Sequence, residues 1–270
     1  MLTDSHPSSH DVRRNRLSAN ISFLFAEWSF LDRFAAAADA GFTAVEFLFP
    51  YDHPADVLAR RIQENGLEMA LFNCPPGDWP GGERGIAALP GREAEFRRSI
   101  ETALAYAEVL GVHRLHVMAG IAEAADPLAA ATYQRNLALA AELAGPRGAR
   151  ILIEPINGYD MPGYFLRDFE TAANLVGDGA AIALQFDIYH CHRIHGDVLE
   201  RLQTLLPVTG HIQIAGVLHR QEPAEPALPL RAIFSCLDRA GYEGRVGCEY
   251  HPAKGTLAGL GWIELLETRP

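Results

Sequence analysis

Cationic side chains are scarce in this sequence, and so are cysteines. It has no long apolar run and no glycine-rich turn after its first strand-like segment. Each shortage excludes something. With 23 Lys+Arg against 34 Asp+Glu the formal charge is -11, and such a surface repels nucleic acid and anionic membranes on average. A small anionic ligand would need local positive charge or a metal. The four cysteines, Cys74, Cys191, Cys236 and Cys248, include no close Cys-x-x-Cys pair. A chain this long needs no disulfide staples, so they read as free thiols in a reducing compartment. Nothing approaches the roughly 20 apolar residues of a membrane span, and the polar opening through Arg13-Arg14 lacks the apolar core of a secretory signal. A cytoplasmic protein that meets neither membrane nor nucleic acid is expected. Phe25-Ala26-Glu27-Trp28 is not a phosphate loop, which argues against an open dinucleotide-binding sheet.

What is present is alternation. Of all residues, 49% are hydrophobic, enough for one large core. Strand-like segments fall at 18–25, 44–48, 68–73, 114–118, 150–154, 182–187, 210–214 and 245–249. Helical segments fall between and after them at 30–40, 54–64, 93–110, 127–143, 168–176, 197–205, 230–240 and 258–266. Gly41, Gly111 and Gly241 serve as stops, and Pro54 occupies a permitted first-turn position. Eight such units predict parallel strands joined by right-handed crossovers. The expected architecture is α/β, a closed (β/α)8 TIM barrel. It would form one domain over 17–270, behind a flexible tail at 1–16. Two loops, 74–85 and 215–229, follow strand C-termini and would overhang the face where barrels do chemistry.

Four apolar runs end on oxygen-bearing side chains: Ile151-Leu152-Ile153-Glu154, Ile182 through Asp187, His211-Ile212-Gln213 and Val246-Gly247-Cys248-Glu249. A charge at the end of a doubly buried strand needs a partner. Taken singly, each acid could cap a helix or pair with an arginine. Together, Glu154, Asp187, Gln213 and Glu249 make an all-oxygen set suited to Mg²⁺ or Mn²⁺. His190 follows Asp187, where it could donate to a substrate oxygen. Asn157 and Asp160 follow Glu154, and Arg220 stands where it could grip a carboxylate. His113, His116, His192 and His195 have no such placement and read as structural or surface residues.

These residues carry a resemblance. The chain resembles the hydroxypyruvate isomerase family, within the sugar isomerase and epimerase barrels related in fold to endonuclease IV. The matching stretches include Phe47-Leu48-Phe49-Pro50-Tyr51-Asp52, Gly82-Glu83-Arg84-Gly85, Ile153-Glu154-Pro155-Ile156-Asn157, Gln185-Phe186-Asp187-Ile188-Tyr189-His190 and Gly247-Cys248-Glu249-Tyr250. The resemblance implies Glu154, Asp187, Gln213 and Glu249 as metal ligands, with Glu154 and Glu249 also the acid/base pair. It implies His190 and Arg220 as substrate-binding positions. The third ligand, a histidine in sugar epimerases, is Gln213 here, as in hydroxypyruvate isomerases. The chain departs from the family pattern over 216–229, where Pro223, Pro226 and Pro229 stiffen the loop.

The implied reaction interconverts hydroxypyruvate and tartronate semialdehyde through an enediolate. Arg220 would hold the carboxylate of a small anionic 2-oxo acid, Asn157 would line the substrate site, and the loop with Trp79 and Arg84 would exclude water. The alternatives are a 2-oxo-tetronate or other sugar-acid isomerase, or a ligand-binding relative without turnover. Barrels of this size often pair, so a homodimer is compatible with the sequence, which marks no interface.

Overall fold

The computed structural model describes residues 16–177, 181–224 and 226–267. Eight parallel strands close in sequence order into a barrel. They are β1 (Leu17–Asn20), β2 (Ala44–Phe47), β3 (Glu68–Asn73), β4 (Arg114–His116), β5 (Arg150–Ile153), β6 (Ile182–Asp187), β7 (Thr209–Ile214) and β8 (Val246–Cys248). Closure is made by β1 against β8, with Leu17 opposite Val246 and Ala19 opposite Cys248. Of the expected tail, only Arg16 lies within the described residues, and Arg16 is anchored. Its carbonyl accepts from Val246 N (2.8 Å), and its guanidinium meets Asp238 and the Tyr242 carbonyl.

The helices begin and end where their termini find partners. They are α1 (Arg33–Asp39), α2 (Ala55–Glu64), α3 (Glu93–Leu110), α4 (Pro127–Ala144), α5 (Phe169–Val176), α6 (Ile188–Ile194), α7 (Val198–Leu205), α8 (Leu230–Arg239), α9 (Thr256–Gly259) and α10 (Trp262–Glu267). Asp126 caps α4 by accepting from Leu128 N, with Pro127 in the first turn; Asp168 caps α5 by accepting from Thr171 N. Gly111 closes α3 at φ 66°, a left-handed turn that glycine enters at least cost.

Beyond shifts of a few residues at strand and helix ends, four features differ from the sequence reading. Pro54 is the residue before α2, not its first turn. β1 stops at Asn20 because the Asn20 side chain accepts from Ser22 N (3.1 Å) and turns the chain. The last expected helix splits around Gly259-Leu260-Gly261, where helix propensity is low. Helix α6 was not expected: seven residues carry too little periodicity to show.

Strand side chains alternate, so the apolar outward positions pack beneath the helices while the inward positions fill the barrel. Leu71, Leu152 and Ala183 form a small separate apolar cluster. Two residues further along each of these three strands the inward positions become polar: Asn73, Glu154 and Gln185. The same layer holds Ser18, Glu46, His116 and His211, all at most 1% exposed. Glu46 accepts from Ser18 Oγ (2.7 Å) and Gln213 Nε2 (2.8 Å), and His211 Nε2 lies 2.9 Å away. Burial by itself would raise the Glu46 pKa, but these partners hold the carboxyl below its ordinary range.

Gly247 leaves room for this carboxylate, since a Cβ there would lie well inside 3.0 Å of Glu46 Oε1. Gly247→Ala is expected to cost about 2–3 kcal/mol, read as a lower urea midpoint at unchanged slope. A variant as stable as the parent would mean that Glu46 has freedom to move aside.

Candidate active site

At the carboxyl ends of the strands a cavity of about 260 Å³ opens, lined by Glu154, Glu249, His190, Arg220, Trp79 and Arg84 among others. A larger groove of about 650 Å³ lies at the opposite end, between the last turns of α7 and α8. Chemistry in barrels of this kind is done at the carboxyl ends, and the convergent charges are there.

Glu154 follows β5 and is 4% exposed. Asp187 ends β6 and is fully buried. Its Oδ1 caps α6 by accepting from His190 N (3.0 Å), so only Oδ2 remains for other work. Among the described residues, Glu154 Oε1 and Asp187 Oδ2 are buried without a hydrogen-bond partner. Ligand atoms of Glu154, Asp187 and His190 lie within 4.8 Å of one another. Burial raises the pKa of both carboxyls; the charges of Asp187 and Glu249 add to this for Glu154. Two buried, unpartnered oxygens on neighbouring carboxylates are what a divalent cation would relieve, and hard oxygen donors suit Mg²⁺ or Mn²⁺.

Gln213 and Glu249 stand one hydrogen bond further round. Gln213 Nε2 donates to Glu249 Oε2 (2.6 Å), while Gln213 Oε1 accepts from Gln185 Nε2 (2.7 Å). Gln185 Nε2 also reaches Glu154 Oε2 (3.2 Å), so one amide chain links the expected ligands. Glu249 Oε2 further accepts from Asn20 Nδ2 (2.8 Å), and Oε1 from Arg220 Nη2 (2.6 Å). Burial pushes the Glu249 carboxyl up to about 8, against the pull of Arg220.

His190 has a defined tautomer. Asn157 Oδ1 accepts from Tyr159 N and Asp160 N (3.1 and 3.0 Å), which turns its Nδ2 onto His190 Nδ1 at 2.7 Å. A donor on Nδ1 leaves the hydrogen on Nε2, the atom 3.8 Å from Glu154 Oε1. His190 therefore presents an N–H rather than a metal-binding lone pair. Burial and the Arg220 charge hold its pKa well below the usual imidazole value, so it is neutral. Asn157, expected on the cavity wall, is instead fully buried behind His190.

Arg220 also departs from expectation. Its Nη2 is committed to Glu249, its Nη1 lies 3.8 Å from Asp160, and its Nε is buried without a partner. Its backbone sits at φ 52°. The proline-bearing loop is tied down: Arg220 O accepts from His251 N (2.9 Å), and Glu222 Oε1 accepts from Ala253 N (3.0 Å). On the other side Glu27 Oε1 accepts from Thr256 N (2.6 Å). Across the mouth, Glu83 accepts from Asp78 N (2.6 Å) and pairs with Arg92. That pair holds the Trp79–Arg84 turn, where the guanidinium lies 4.0 Å from the indole centroid.

The sequence reading missed several site residues. His116, set aside there, lines the cavity with neither ring nitrogen hydrogen-bonded, and its Nε2 is 3.5 Å from Glu154 Oε2. Burial, aided by His211, brings its pKa down to about 3, so it too is neutral. Glu46, Gln185 and His211 beneath the rim were also missed. Gln185 and His211 stand two residues before Asp187 and Gln213, and strand alternation alone places them on the same inward face.

Known proteins resemble this chain in sequence and fold. Residues 34–266 match a family described as Xylose isomerase-like TIM barrel. The 2-oxo-tetronate isomerase of Cupriavidus necator is 53% identical over 254 residues, 92% of this chain and 97% of that protein. The hydroxypyruvate isomerase of Escherichia coli is 40% identical over 253 residues, 92% of this chain and 98% of that protein. The crystal structure of a Brucella melitensis protein named AP endonuclease, family 2, superposes with a TM-score of 0.90 at 44% identity. The match covers 93% of this chain and 98% of that one.

Proposed function

The chain belongs to the xylose isomerase-like TIM barrel family, and on that premise we propose that it is an isomerase moving the oxo group between C2 and C3 of a short 2-oxo-3-hydroxy acid. The four-carbon 2-oxo-tetronate is the better substrate, in keeping with the name of the 53% identical relative. Hydroxypyruvate, the three-carbon member, undergoes the same chemistry to tartronate semialdehyde. The two differ only in the substituent on C3, hydroxymethyl or hydrogen.

The observation that carries this reading is the pair of unpartnered buried oxygens on Glu154 and Asp187, with Glu249 lining the same cavity. A divalent cation held by Glu154, Asp187, Gln213 and Glu249 would polarise the oxo and hydroxyl oxygens and stabilise the charge that develops on them. The rest falls to the protein. One of Glu154 and Glu249 takes the proton from C3 and one returns a proton to C2, while the hydroxyl proton on the C3 oxygen passes to the C2 oxygen. Glu249 suits proton exchange by its placement, lining the cavity while Asn20, Gln213 and Arg220 fix its two oxygens. Arg220 aims Glu249 through its 2.6 Å contact. His190 and His116 are neutral, and the Nε2–H of His190 donates to an oxyanion without first losing a charge. Trp79 covers the mouth and keeps water from the enediolate.

The alternative of phosphodiester cleavage, raised by the name of the Brucella protein, is opposed by the formal charge of -11 and by a cavity walled with carboxylates. The test is incubation of Mg²⁺- or Mn²⁺-loaded protein with 2-oxo-tetronate and hydroxypyruvate in D2O, followed by NMR. Isomer formation with deuterium incorporated at carbon supports the reading. No product from any C3 to C6 2-oxo acid ends it.

A further inference from the structure

The cavity has two unlike walls. The β5–β8 side carries Glu154, Asp160 and Glu249, with Asp187 behind them. The β3–β4 side carries Asn73, Arg84 and His116 and, among the described residues lining the cavity, no carboxylate. An anionic substrate must place its own carboxylate against one of them. Arg220, the cation of the acidic wall, already faces two carboxylates: Nη2 donates to Glu249 and Nη1 lies 3.8 Å from Asp160, while Nε is buried without a partner. Phe23 and Tyr189 further hold its guanidinium, at 5.5 and 5.3 Å from their ring centroids.

Arg84 differs on each count. Among the described residues its hydrogen bonds run from Nη1 to two backbone carbonyls, those of Glu83 (2.7 Å) and Trp79 (3.2 Å). Among the described residues no carboxylate lies within ion-pair distance of it. Its Nε and Nη2 are therefore uncommitted, and those two N–H groups form the parallel edge that grips a carboxylate through two bonds. The side chain is also preset: the two carbonyls and the Trp79 ring hold the guanidinium, and the Glu83–Arg92 pair holds the loop. Little freedom remains to be lost on binding. In a closed eight-strand barrel, the loops after β3 and β7 face each other across the mouth.

We propose that Arg84, not Arg220, is the anchor for the substrate carboxylate, so that the substrate spans the mouth with its acid group on the β3 loop and C2 and C3 beside Glu154 and Glu249. This rests on the isomerase reading and assigns its specificity: short acids whose reacting carbons adjoin the carboxylate. Arg220 is a positioning residue for Glu249.

The experiment compares Arg84→Gln, Arg84→Lys and Arg220→Gln with the parent, all loaded with Mg²⁺. Arg84→Gln is expected to raise KM for 2-oxo-tetronate about 30-fold with a much smaller change in kcat, and Arg84→Lys to recover part of the loss. Arg220→Gln is expected to act mainly on kcat. Calorimetry with D-glycerate, which has no oxo group to move, is expected to show binding to the parent and roughly tenfold or greater weakening in Arg84→Gln. The anchor is overturned if Arg84→Gln binds glycerate as the parent does, if the KM rise appears in Arg220→Gln instead, or if the parent does not bind glycerate. The isomerase reading fails separately, when glycerate binding depends on Arg84 but no 2-oxo acid is turned over.

Discussion

Glu249→Gln is expected to lower kcat roughly a thousandfold, the scale of losing a general acid–base group, while the protein folds and still binds substrate. The amide has the shape of the carboxylate but cannot take the proton, whichever glutamate acts first. It also cannot satisfy its neighbours. Asn20 and Gln213 both donate to Oε2, and Arg220 donates to Oε1. An amide offers one accepting oxygen, so one set of donors loses its partner. A modest loss of thermal stability should therefore accompany the loss of rate. Circular dichroism and single-turnover kinetics separate the two effects. A rate near that of the parent would remove Glu249 from proton transfer.

Chelation should abolish turnover, and adding back Mg²⁺ or Mn²⁺ should restore it. Loading at about a hundred times Kd should raise Tm by roughly 5–10 °C for a domain of this size. The pH dependence follows from the buried carboxyls. The Glu249 pKa is raised from 4.5 to about 8 by burial, and those of Glu154 and Asp187 are raised as well. A group raised in the folded state contributes stability below its unfolded value, and that contribution is lost as pH rises through the folded value. Metal-free protein thus loses stability across the window from about 4.5 to about 8. A cation binds the deprotonated carboxylates and releases protons. The Tm gap between loaded and chelated protein should therefore widen from about pH 5.5 to pH 8. Full activity in a verified metal-free preparation would end the metal reading; a gap that narrows with pH would mean that the raised carboxyls are not the ligands.

The architecture was legible because it is written twice, in apolar strand runs and in the punctuation between them. Gly111 and Gly41 stop helices, and Asp126-Pro127 starts one. The rim acids were legible for a related reason, since charge at the end of an apolar run stands out. The layer beneath was not. Glu46 sits between Val45 and Phe47 and looks like an ordinary alternating polar position; only barrel closure brings it to Gln213 and His211. His116 was lost among several histidines because its meaning depends on which way β4 faces. Asp187 was read as a ligand alone, yet one of its oxygens caps α6. In the sequence Arg220 reads as a grip for a substrate carboxylate, because no sequence pattern shows Glu249 and Asp160 reaching it from β8 and from the segment after β5. The position of a side chain along a strand can be counted; which partner claims it first depends on the assembled walls.

The ties around the mouth bear on how the protein works through time. Glu27, Glu83 and Glu222 each lend carboxylate oxygens to backbone amides of the surrounding loops, which holds those three described stretches of the rim in place. A catalyst whose doorway is fixed has no opening stroke to wait for. Its pace should be indifferent to thickening the solvent with sucrose once diffusion of the small acid is allowed for, and a crystal soaked in substrate should keep diffracting while it works.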